Sequence, residues 1–562
     1  MPRGSWLLLA LLLSACGAPA TRPASDAAAP VPDAAEAGPD AAAAPPDAAA
    51  PAADASAPGD ASAPGDAALP ADAAEPGPDA GPRVVTVRLF HTSDEHGWLE
   101  PATESGNVLG GAANLRAWLA LENFSADKDV LLSGGDGWQG PAISGYFQGE
   151  STVAAMNLLG YAAASIGNHE FDWGREVMKA RFAQSAYPEL AANIRFAASG
   201  APVDFAPRWA MLEVQGIKLG VIGLTTPETA TATNPKLVSD LVFDEPLPTL
   251  EAVVPEVRAA GADAVVVLAH EAGSTMGLVA DALTAAAKVE VLFSGHDHAA
   301  HHSTHSGGLL VGSGWAWRGY SVTTLRIDTG ARTATVLGTR QVNVQYRDGA
   351  ADPVTPDAGV AALVASWSAK LDTSLGETIG YTATGFGWFT WKEANWATDP
   401  WLAAFPEADV AVQNFGGLRQ AVPKGPITKA TVFGMMPFDN RIIGVRITGA
   451  QLLENLQGAT ASCVIGMGCY PAVAGMSWTG SGSAVQIQLK SGAAFDPAAT
   501  YTVLTNDYLY AGGNGYLFGA QDPNGVDMGV NYRDPVVEWT QAQGSSAQDP
   551  LENHVDAAPR DQ

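Results

Sequence analysis

The chain has 562 residues and a formal net charge of −29, and its length favours several domains. The acidic balance argues against a nucleic-acid polymer as partner, because such binding needs a basic face. Hydrophobic residues make up 47 % of the chain, too many for a wholly disordered protein. No apolar run reaches the roughly 20 residues of a membrane-spanning helix, and three cysteines are too few for a disulfide scaffold.

The first sixteen residues have the pattern of an export signal. One Arg precedes a short apolar run that ends in Leu13-Ser14-Ala15-Cys16, which resembles a bacterial lipobox. The resemblance implies lipidation of Cys16, and Gly17 after it favours the outer membrane; an ordinary cleaved signal with an incidental cysteine is the alternative. We therefore expect an exported lipoprotein on a periplasmic or cell-surface face that touches the membrane only through this lipid.

A low-complexity segment follows. Residues 17–82 consist almost entirely of Ala, Pro, Asp, Gly and Ser. Since this composition lacks the apolar bulk that offsets the entropy of ordering, we expect a disordered tether that holds a globular body off a membrane.

From Val84 onward, five short apolar runs predict β-strands, and each run ends at potential metal ligands. In chain order these ligands are Asp94 and His96, Asp136, Asn168 and His169, His270, and finally His296 and His298. Helical stretches between the runs indicate a mixed or parallel sheet covered by helices. Ligands bind beyond the carboxyl ends of the strands in such sheets, so these side chains should converge on one rim.

The chemistry of this set is coherent. A single histidine at a strand end is most simply structural, but chance does not readily place ligands at five strand ends. Imidazole and carboxylate together suit Zn, Mn, Fe or Co, and the set is large enough for two ions about 3.5–4 Å apart.

The motifs resemble the calcineurin-like metallophosphatases and, more narrowly, the secreted 5′-nucleotidase family. The narrower resemblance rests on His91-Thr-Ser-Asp-Glu-His-Gly97 and Gly167-Asn-His-Glu-Phe-Asp172. It implies an α/β protein with an N-terminal metallophosphatase β-sandwich flanked by helices and a second α/β substrate-binding domain. The implied boundaries are 83–345 for the first domain, 346–374 for a linking helix, 375–545 for the second domain and 546–562 for a tail.

The resemblance also implies roles for the ligands. One divalent ion (Zn, Mn, Co, Fe or Mg) would be held by Asp94, His96, Asp136 and His298, and a second by Asp136, Asn168, His270 and His296. His169 and Asp172 match the catalytic pair, which would stabilise the transferred phosphoryl group or protonate the leaving oxygen while a water activated by the two ions attacks. For Asp172 alone, a helix N-cap is the alternative.

In the second domain, Asn414-Phe-Gly-Gly417-Leu-Arg419 resembles the family turn whose Arg contacts substrate phosphate, with Arg suited to grip two oxygens. Phe438 and Tyr516 match the two aromatic residues that sandwich the nucleobase, and Asp522 lies where a ribose-binding Asp would stand. Packing in the core is the alternative for either ring. The chain departs from the family pattern at Asp439, at Asn514 and in Phe386–Trp401, a Trp-rich stretch that we expect to serve packing.

Cys463 and Cys469 lie six positions apart in a Gly-rich segment, so we expect a disulfide, with two free thiols as the alternative. The sequence as a whole predicts a metal-dependent 5′-nucleotidase that takes a small-molecule nucleotide. Action on 2′,3′-cyclic nucleotides or nucleotide-sugar pyrophosphates is an alternative at the same site. An inactive surface-binding lipoprotein is an alternative from another class, and the sequence leaves the oligomeric state open.

Overall fold

The computed structural model describes residues 83–347 and 354–561. The predicted signal, the lipidation at Cys16 and the tether 17–82 lie outside the described residues. Among the helices that are described, none combines the length and apolar character needed to cross a bilayer.

The first domain contains seventeen strands. In chain order they are β1 Val84–Thr92, β2 Ala102–Glu104, β3 Asn107–Leu109, β4 Asp129–Ser133, β5 Tyr161–Ser165, β6 Glu189–Leu190, β7 Ile194–Phe196, β8 Trp209–Val214, β9 Ile217–Thr225, β10 Leu241–Phe243, β11 Ala264–His270, β12 Val291–Ser294, β13 Ala300–His305, β14 Gly308–Ser313, β15 Gly319–Asp328, β16 Thr333–Asn343 and β17 Gln345–Arg347. All five strands that the sequence predicts are present within one or two residues of their expected bounds.

Helices lie between these strands. They are α1 Ala112–Leu121, α2 Ala142–Gly145, α3 Glu150–Leu159, α4 Gly174–Gln184, α5 Thr229–Ala232, α6 Pro235–Val238, α7 Pro246–Ala259 and α8 Gly273–Ala282. A further helix, α9 Ala358–Leu375, links the two domains, and its first turn is capped by the Asp357 side chain, which accepts a hydrogen bond from the Val360 amide. It begins twelve positions later than the predicted linking helix and ends one position later.

Two six-stranded sheets form the first domain. Their strand orders are β16-β15-β1-β4-β5-β6 and β13-β14-β12-β11-β9-β8. In the first sheet β1, β4, β5 and β6 run parallel, whereas β15 and β16 pair antiparallel. In the second sheet β14, β12, β11 and β9 run parallel, and the edge strands β13 and β8 are antiparallel. Successive side chains face opposite sides of a strand, so Leu89 of β1 and Val266 of β11 enter the core between the sheets, while Phe90 and Val265 pack toward the outer helices. The result is the predicted sandwich flanked by helices.

The second domain has its own sheet and core. Its strands are β18 Thr378–Thr382, β19 Val410–Asn414, β20 Gly425–Thr428, β21 Arg441–Thr448, β22 Pro471–Ala474, β23 Met476–Thr479, β24 Gln486–Leu489, β25 Thr500–Asn506 and β26 Val526–Asn531. Its helices are α10 Trp391–Ala404, α11 Lys429–Met435, α12 Gly449–Ser462, α13 Asp507–Tyr510, α14 Phe518–Gln521 and α15 Asp534–Gln543. The main sheet has the order β22-β19-β25-β21-β26, which makes this a second α/β domain.

The Trp-rich stretch largely serves packing, as predicted. Trp391, Trp396 and Trp401 all lie on α10 and are buried in the core of the second domain. The segment expected to be a separate tail also packs on this domain, because the buried Arg560 guanidinium contacts Asp399 at 2.7 Å. Residues 546–561 therefore belong to the second domain.

Candidate active site

The predicted ligands meet at the carboxyl ends of strands from both sheets. Asp94, His96, Asp136 and Asn168 follow β1, β4 and β5 of one sheet, whereas His270, His296 and His298 end or follow β11 and β12 of the other. They form two groups whose potential ligand atoms lie within 4.8 Å of one another: Asp94, His96 and His298, and Asp136, His270 and His296. The structure thus contains two adjacent candidate metal sites.

Asp136 is placed between the two groups. Its Oδ2 lies 3.1 Å from Nε2 of His270 and 3.9 Å from Nε2 of His96. Asn168 joins the same group, because its Oδ1 lies 3.2 Å from Nε2 of His270. One carboxylate within reach of both groups is the arrangement that a pair of bridged cations requires.

Hydrogen bonds to the far sides of the imidazoles show that the site suits cations. Nδ1 of His96 lies 2.9 Å from the Gln139 carbonyl, and Nδ1 of His270 lies 2.9 Å from the Gly134 carbonyl. A carbonyl can only accept, so each Nδ1 carries a proton and each Nε2 faces the site, where a neutral ring offers its lone pair to a cation. Burial opposes protonation of His270, but the charges of Asp136 and Asp94 outweigh it and raise the pKa of His270 to about 10. Nε2 of His270 thus faces the oxygens of Asp136 and Asn168 at a position where a divalent cation would replace the proton.

The backbone at these ligands is unusual. Asp94, His96, Asp136, His296 and His298 have positive φ values of 53°, 46°, 56°, 71° and 57°. Non-glycine residues rarely adopt this left-handed conformation, and such strain clusters at functional sites. The turns after the strands are therefore shaped to aim these side chains.

Two buried glutamates hold the ligand loops in place, and sequence reasoning assigned a role to neither. Glu170 accepts hydrogen bonds from the amides of Asp136, Gly137 and Gly167 at 2.7–3.0 Å, and burial raises its pKa to about 7. Glu95 accepts from the hydroxyls of Thr92 and Ser133, and burial raises its pKa to about 8. Both lie inside the two motifs that carry the family resemblance, which was the available signal.

The predicted catalytic pair is formed beside the candidate metal sites. Nδ1 of His169 lies 2.7 Å from Oδ2 of Asp172, and Thr233 donates to Oδ1 of the same carboxylate at 2.8 Å. Burial opposes protonation of His169, but the charges of Asp172 and Asp136 outweigh it and raise the His169 pKa above its usual value. Asp172 is not a helix N-cap, since it follows the short 3-10 helix His169–Phe171 and the N-cap of α4 is Trp173.

A cavity of about 570 Å³ joins this centre to the second domain. The first domain contributes Asn168, His169, Asp172 and His296 among other residues, and the second contributes Asn414, Gly417, Arg419 and Phe438. The Phe438 ring lies 5.9 Å from that of His169, centroid to centroid. Among the described residues, no group forms a hydrogen bond with the Arg419 guanidinium, although its backbone amide binds the Met435 carbonyl.

Two predicted substrate-binding residues, Tyr516 and Asp522, do not line the cavity. Tyr516 is only 3 % exposed, stacks on Phe518 and donates its hydroxyl to the Cys469 carbonyl, so it packs in the core and does not line the cavity. Asp522 accepts from the amides of Arg446 and Asn524 and serves a turn. Both were assigned by motif position, which does not report the direction of a side chain.

Tyr508 is the second-domain aromatic residue that lines the cavity together with Phe438. Its hydroxyl donates to the Thr231 carbonyl of the first domain at 2.8 Å. Tyr508 lies in Asn506-Asp507-Tyr508, eight positions before Tyr516. The prediction chose Tyr516 as the second stacking ring instead.

The predicted disulfide is confirmed. Cys463 and Cys469 are bonded, with Cα atoms 6.0 Å apart. The loop they close contributes Met467, Gly468 and Cys469 to the cavity. The Gly468 carbonyl accepts from the Gly416 amide at 2.7 Å, so this loop supports the turn that carries Arg419.

Two family models match the chain. Residues 87–300 match the calcineurin-like phosphoesterase model, and residues 390–520 match the C-terminal domain of 5′-nucleotidase. The chain is similar to Protein UshA of Escherichia coli (strain K12), with 26 % identity over 79 % of this chain and 88 % of UshA. It is also similar to Endonuclease YhcR of Bacillus subtilis (strain 168), with 24 % identity over 76 % of this chain but only 37 % of that longer protein.

Solved structures share the fold. A 5′-nucleotidase precursor from Thermus thermophilus superposes with a TM-score of 0.73 at 22 % identity, over 85 % of this chain and 99 % of that one. A putative 5′-nucleotidase from Staphylococcus aureus gives 0.67 at 20 % identity over the same shares of the two chains. The two matches place a calcineurin-like phosphoesterase domain before a 5′-nucleotidase C-terminal domain, in the two-domain fold that these solved structures share. A calcineurin-like phosphoesterase domain indicates a metal-dependent phosphoric ester hydrolase.

Proposed function

We propose that this protein hydrolyses nucleotide phosphate esters to a nucleoside and phosphate. The observation that carries the proposal is the shared cavity, in which Arg419 and Phe438 of the second domain face the candidate metal centre of the first. Its volume of about 570 Å³ is in the range of sites for small organic ligands. Such a cavity can hold a phosphoryl group at one end and a stacked base at the other.

Two divalent cations would be held by Asp94, His96, Asp136, Asn168, His270, His296 and His298, and their charge would polarise the phosphate and lower the pKa of an attacking water. The residues of the chain do the rest. Arg419 has five donors in a planar fork, so it can bind two phosphate oxygens and fix the ester for attack. Asn414 and Gly417 shape the turn that presents this guanidinium.

His169 provides the proton for the leaving group. Asp172 accepts from Nδ1, which leaves Nε2 of the protonated ring facing the cavity. As the P–O bond to the nucleoside breaks, the ester oxygen takes the Nε2 proton and departs as a hydroxyl, while the water oxygen and one of its protons become part of the released phosphate. The second water proton goes to solvent, and His169 takes a proton back from solvent before the next turnover. Thr233 holds Asp172 from its other oxygen, which keeps the pair aligned.

The lining favours one phosphoryl group. Of the described residues around the cavity, Arg419 is the sole Lys or Arg, whereas Asp172, Glu228, Asp439 and Asp507 contribute carboxylates. A longer polyphosphate would meet little compensating charge, so we place nucleoside monophosphates ahead of nucleotide sugars. Cyclic nucleotides, the alternative that the sequence left open at the same site, stay as the second candidate. The relative YfkN of Bacillus subtilis is named a trifunctional nucleotide phosphoesterase, which fits action on more than one nucleotide ester.

A substrate panel tests the proposal. The purified full chain, loaded with Mn²⁺, Zn²⁺ or Co²⁺, is assayed against AMP, 2′,3′-cyclic AMP, UDP-glucose and p-nitrophenyl phosphate. We expect phosphate release from AMP to have the highest kcat/KM among the nucleotides. Failure to hydrolyse AMP with any of these metals would refute the monophosphate assignment, and hydrolysis of the cyclic ester alone would transfer it to the second candidate.

We further propose that the protein is exported and anchored through lipid on Cys16. The support is the lipobox-like Leu13–Cys16, the disulfide, which suits an oxidising compartment, and the relative Lmo0130 of Listeria monocytogenes, named a cell wall protein. Metabolic labelling with a clickable fatty acid should mark the wild-type chain and not Cys16→Ser. Equal labelling of both would contradict the anchor.

A further inference from the structure

His298 is held differently from His96 and His270. His96 and His270 are each fixed by a hydrogen bond from Nδ1 to a carbonyl. Among the described residues, Nδ1 of His298 has no such partner, and its side chain is 31 % exposed. Because metal-binding imidazoles are ordinarily oriented through their second nitrogen, another contact must set the plane of this ring.

Trp315 makes that contact. Its indole stacks on the imidazole of His298 with centroids 5.2 Å apart and an interplanar angle of 11°. A parallel stack restricts rotation of the imidazole about its Cβ–Cγ bond, which is the freedom that a hydrogen bond at Nδ1 would remove. Stacking on Trp315 thus orients the imidazole of His298 in place of a hydrogen bond from Nδ1 to a carbonyl.

Trp315 is itself restrained within the first domain. The Arg318 guanidinium lies 4.9 Å from the centre of the Trp315 ring and donates to Glu104 at 2.7 Å. Trp98 meets the same ring edge-on at 5.9 Å. Cation–π and edge-to-face contacts of this kind are each favourable, so the indole forms a rigid support for His298.

The second domain also reaches this support. Trp388 lies 5.9 Å from Trp315, centroid to centroid. Its Nε1 donates to the Leu418 carbonyl at 2.7 Å, one residue before Arg419. Trp388, unlike the tryptophans of α10, therefore spans from the turn that carries Arg419 to the aromatic ring behind a metal ligand.

We propose that Trp315 is the positioning residue of His298 and that Trp388 supports it from the second domain, so that docking of the two domains contributes to the geometry of one metal site. The inference rests on the proposed metal centre. It assigns to two tryptophans the role that carbonyl partners serve at His96 and His270.

Metal binding without substrate tests the proposal. The full chain is stripped of metal and titrated with Co²⁺ by calorimetry, and the visible Co²⁺ spectrum reports the coordination of each ion. In Trp315→Leu we expect one of two sites to lose about 10–100-fold in affinity, as when an outer partner of a ligand is removed, while the other site is unchanged. Trp315→Phe, which can still stack, should retain most of the affinity.

Trp209→Leu is the matched control, because Trp209 is a half-buried tryptophan on the edge strand β8 of the same domain. Its indole donates to Glu256 of α7, away from the candidate metal sites. It should bind both ions as the wild type does. Wild-type binding of both ions by Trp315→Leu would overturn the proposal, as would an equal loss in the Phe variant.

If circular dichroism shows that Trp315→Leu is unfolded, Trp388→Leu decides. Trp388→Leu should lower the Co²⁺ affinity of the same site by a smaller factor than is expected of Trp315→Leu. Unchanged Co²⁺ binding would overturn the proposal. If the wild-type chain itself binds fewer than two ions, the proposed metal centre fails, an outcome distinct from failure of the tryptophan support alone.

Discussion

Replacement of Asp172 by Asn should lower the pKa of His169 and shift the pH range of activity. The 2.7 Å contact between Nδ1 and Oδ2 is a charge-assisted hydrogen bond, worth about 1.5–3 kcal/mol. At 1.36 kcal/mol per pKa unit, its loss lowers the pKa by about 1–2 units. Burial, which already opposes protonation of this ring, is then no longer outweighed.

The sign of the effect follows from the role of His169 as an acid. Activity requires its protonated form, so kcat falls as pH rises through the pKa of His169, and this alkaline limb should move to lower pH in Asp172→Asn. At a fixed pH above the wild-type pKa, the protonated fraction and hence kcat for AMP should fall by about 10–100-fold. Lowering the pH should restore much of the loss.

Two esters separate this explanation from simple structural damage. p-Nitrophenolate leaves without a proton, so hydrolysis of p-nitrophenyl phosphate should be much less affected than that of AMP. Asp240→Asn, which alters an exposed carboxylate paired with Arg175 in the same domain, should leave both pH–rate profiles unchanged. Equal losses on the two esters with no movement of the alkaline limb would refute the assigned role of the pair.

Four further outcomes are expected. Asp136→Asn should lower kcat by orders of magnitude and reduce the number of bound ions measured by metal analysis, because this carboxylate reaches both candidate sites. Arg419→Ala should lower kcat/KM about 10–100-fold on nucleotides and p-nitrophenyl phosphate alike, through loss of charged hydrogen bonds to phosphate. Phe438→Ala should lower kcat/KM for nucleotides by the equivalent of about 1–3 kcal/mol, because base stacking is lost, and should leave kcat/KM for p-nitrophenyl phosphate unchanged. Burial raises the pKa of Glu393 well above 4.5, so the folded state keeps this carboxyl protonated at pH values where the unfolded chain loses the proton. The free energy of unfolding therefore falls as pH rises above about 4.5. Glu393→Gln should flatten that decline in thermal melts between pH 5 and 9, and an unchanged slope would contradict the argument.

The parts of the fold and site that could be predicted from the sequence are those encoded locally. A short apolar run followed by a small residue and a ligand can be recognised in the amino-acid sequence. Parallel strands bring their carboxyl ends to one edge of the sheet regardless of the conformation of the loops. Asp136 and His270 could therefore be assigned to strand ends at a common rim although more than a hundred positions separate them. The sequence did not show that their strands, β4 and β11, belong to two different sheets. The disulfide between Cys463 and Cys469 was accessible for the same reason, since the two lie in one short loop.

Side-chain direction in the second domain was not encoded in this way. Tyr508 and Tyr516 both lie in aromatic, Gly-rich motifs, and only packing against Phe518 shows that Tyr516 turns inward. The contact between Trp315 and His298 is hidden for another reason. Its two residues lie on different turns, and stacking leaves no periodic or compositional trace in a single sequence.

The departure of Asp439 from the family pattern shows how a motif difference can be compensated at a distance. Its carboxylate accepts from the Arg533 guanidinium at 2.6 Å, and the same guanidinium donates to the carbonyls of Met436 and Phe438 at 2.9 and 2.8 Å. The Tyr532 hydroxyl accepts from the Phe438 amide. Two adjacent residues nearly a hundred positions away thus fix the segment that presents the Phe438 ring, and Asp439 adds a further anchor to it. By motif comparison alone, Asp439 is only a departure from the family sequence. In the structure its contact with Arg533 helps to hold Phe438 beside the cavity.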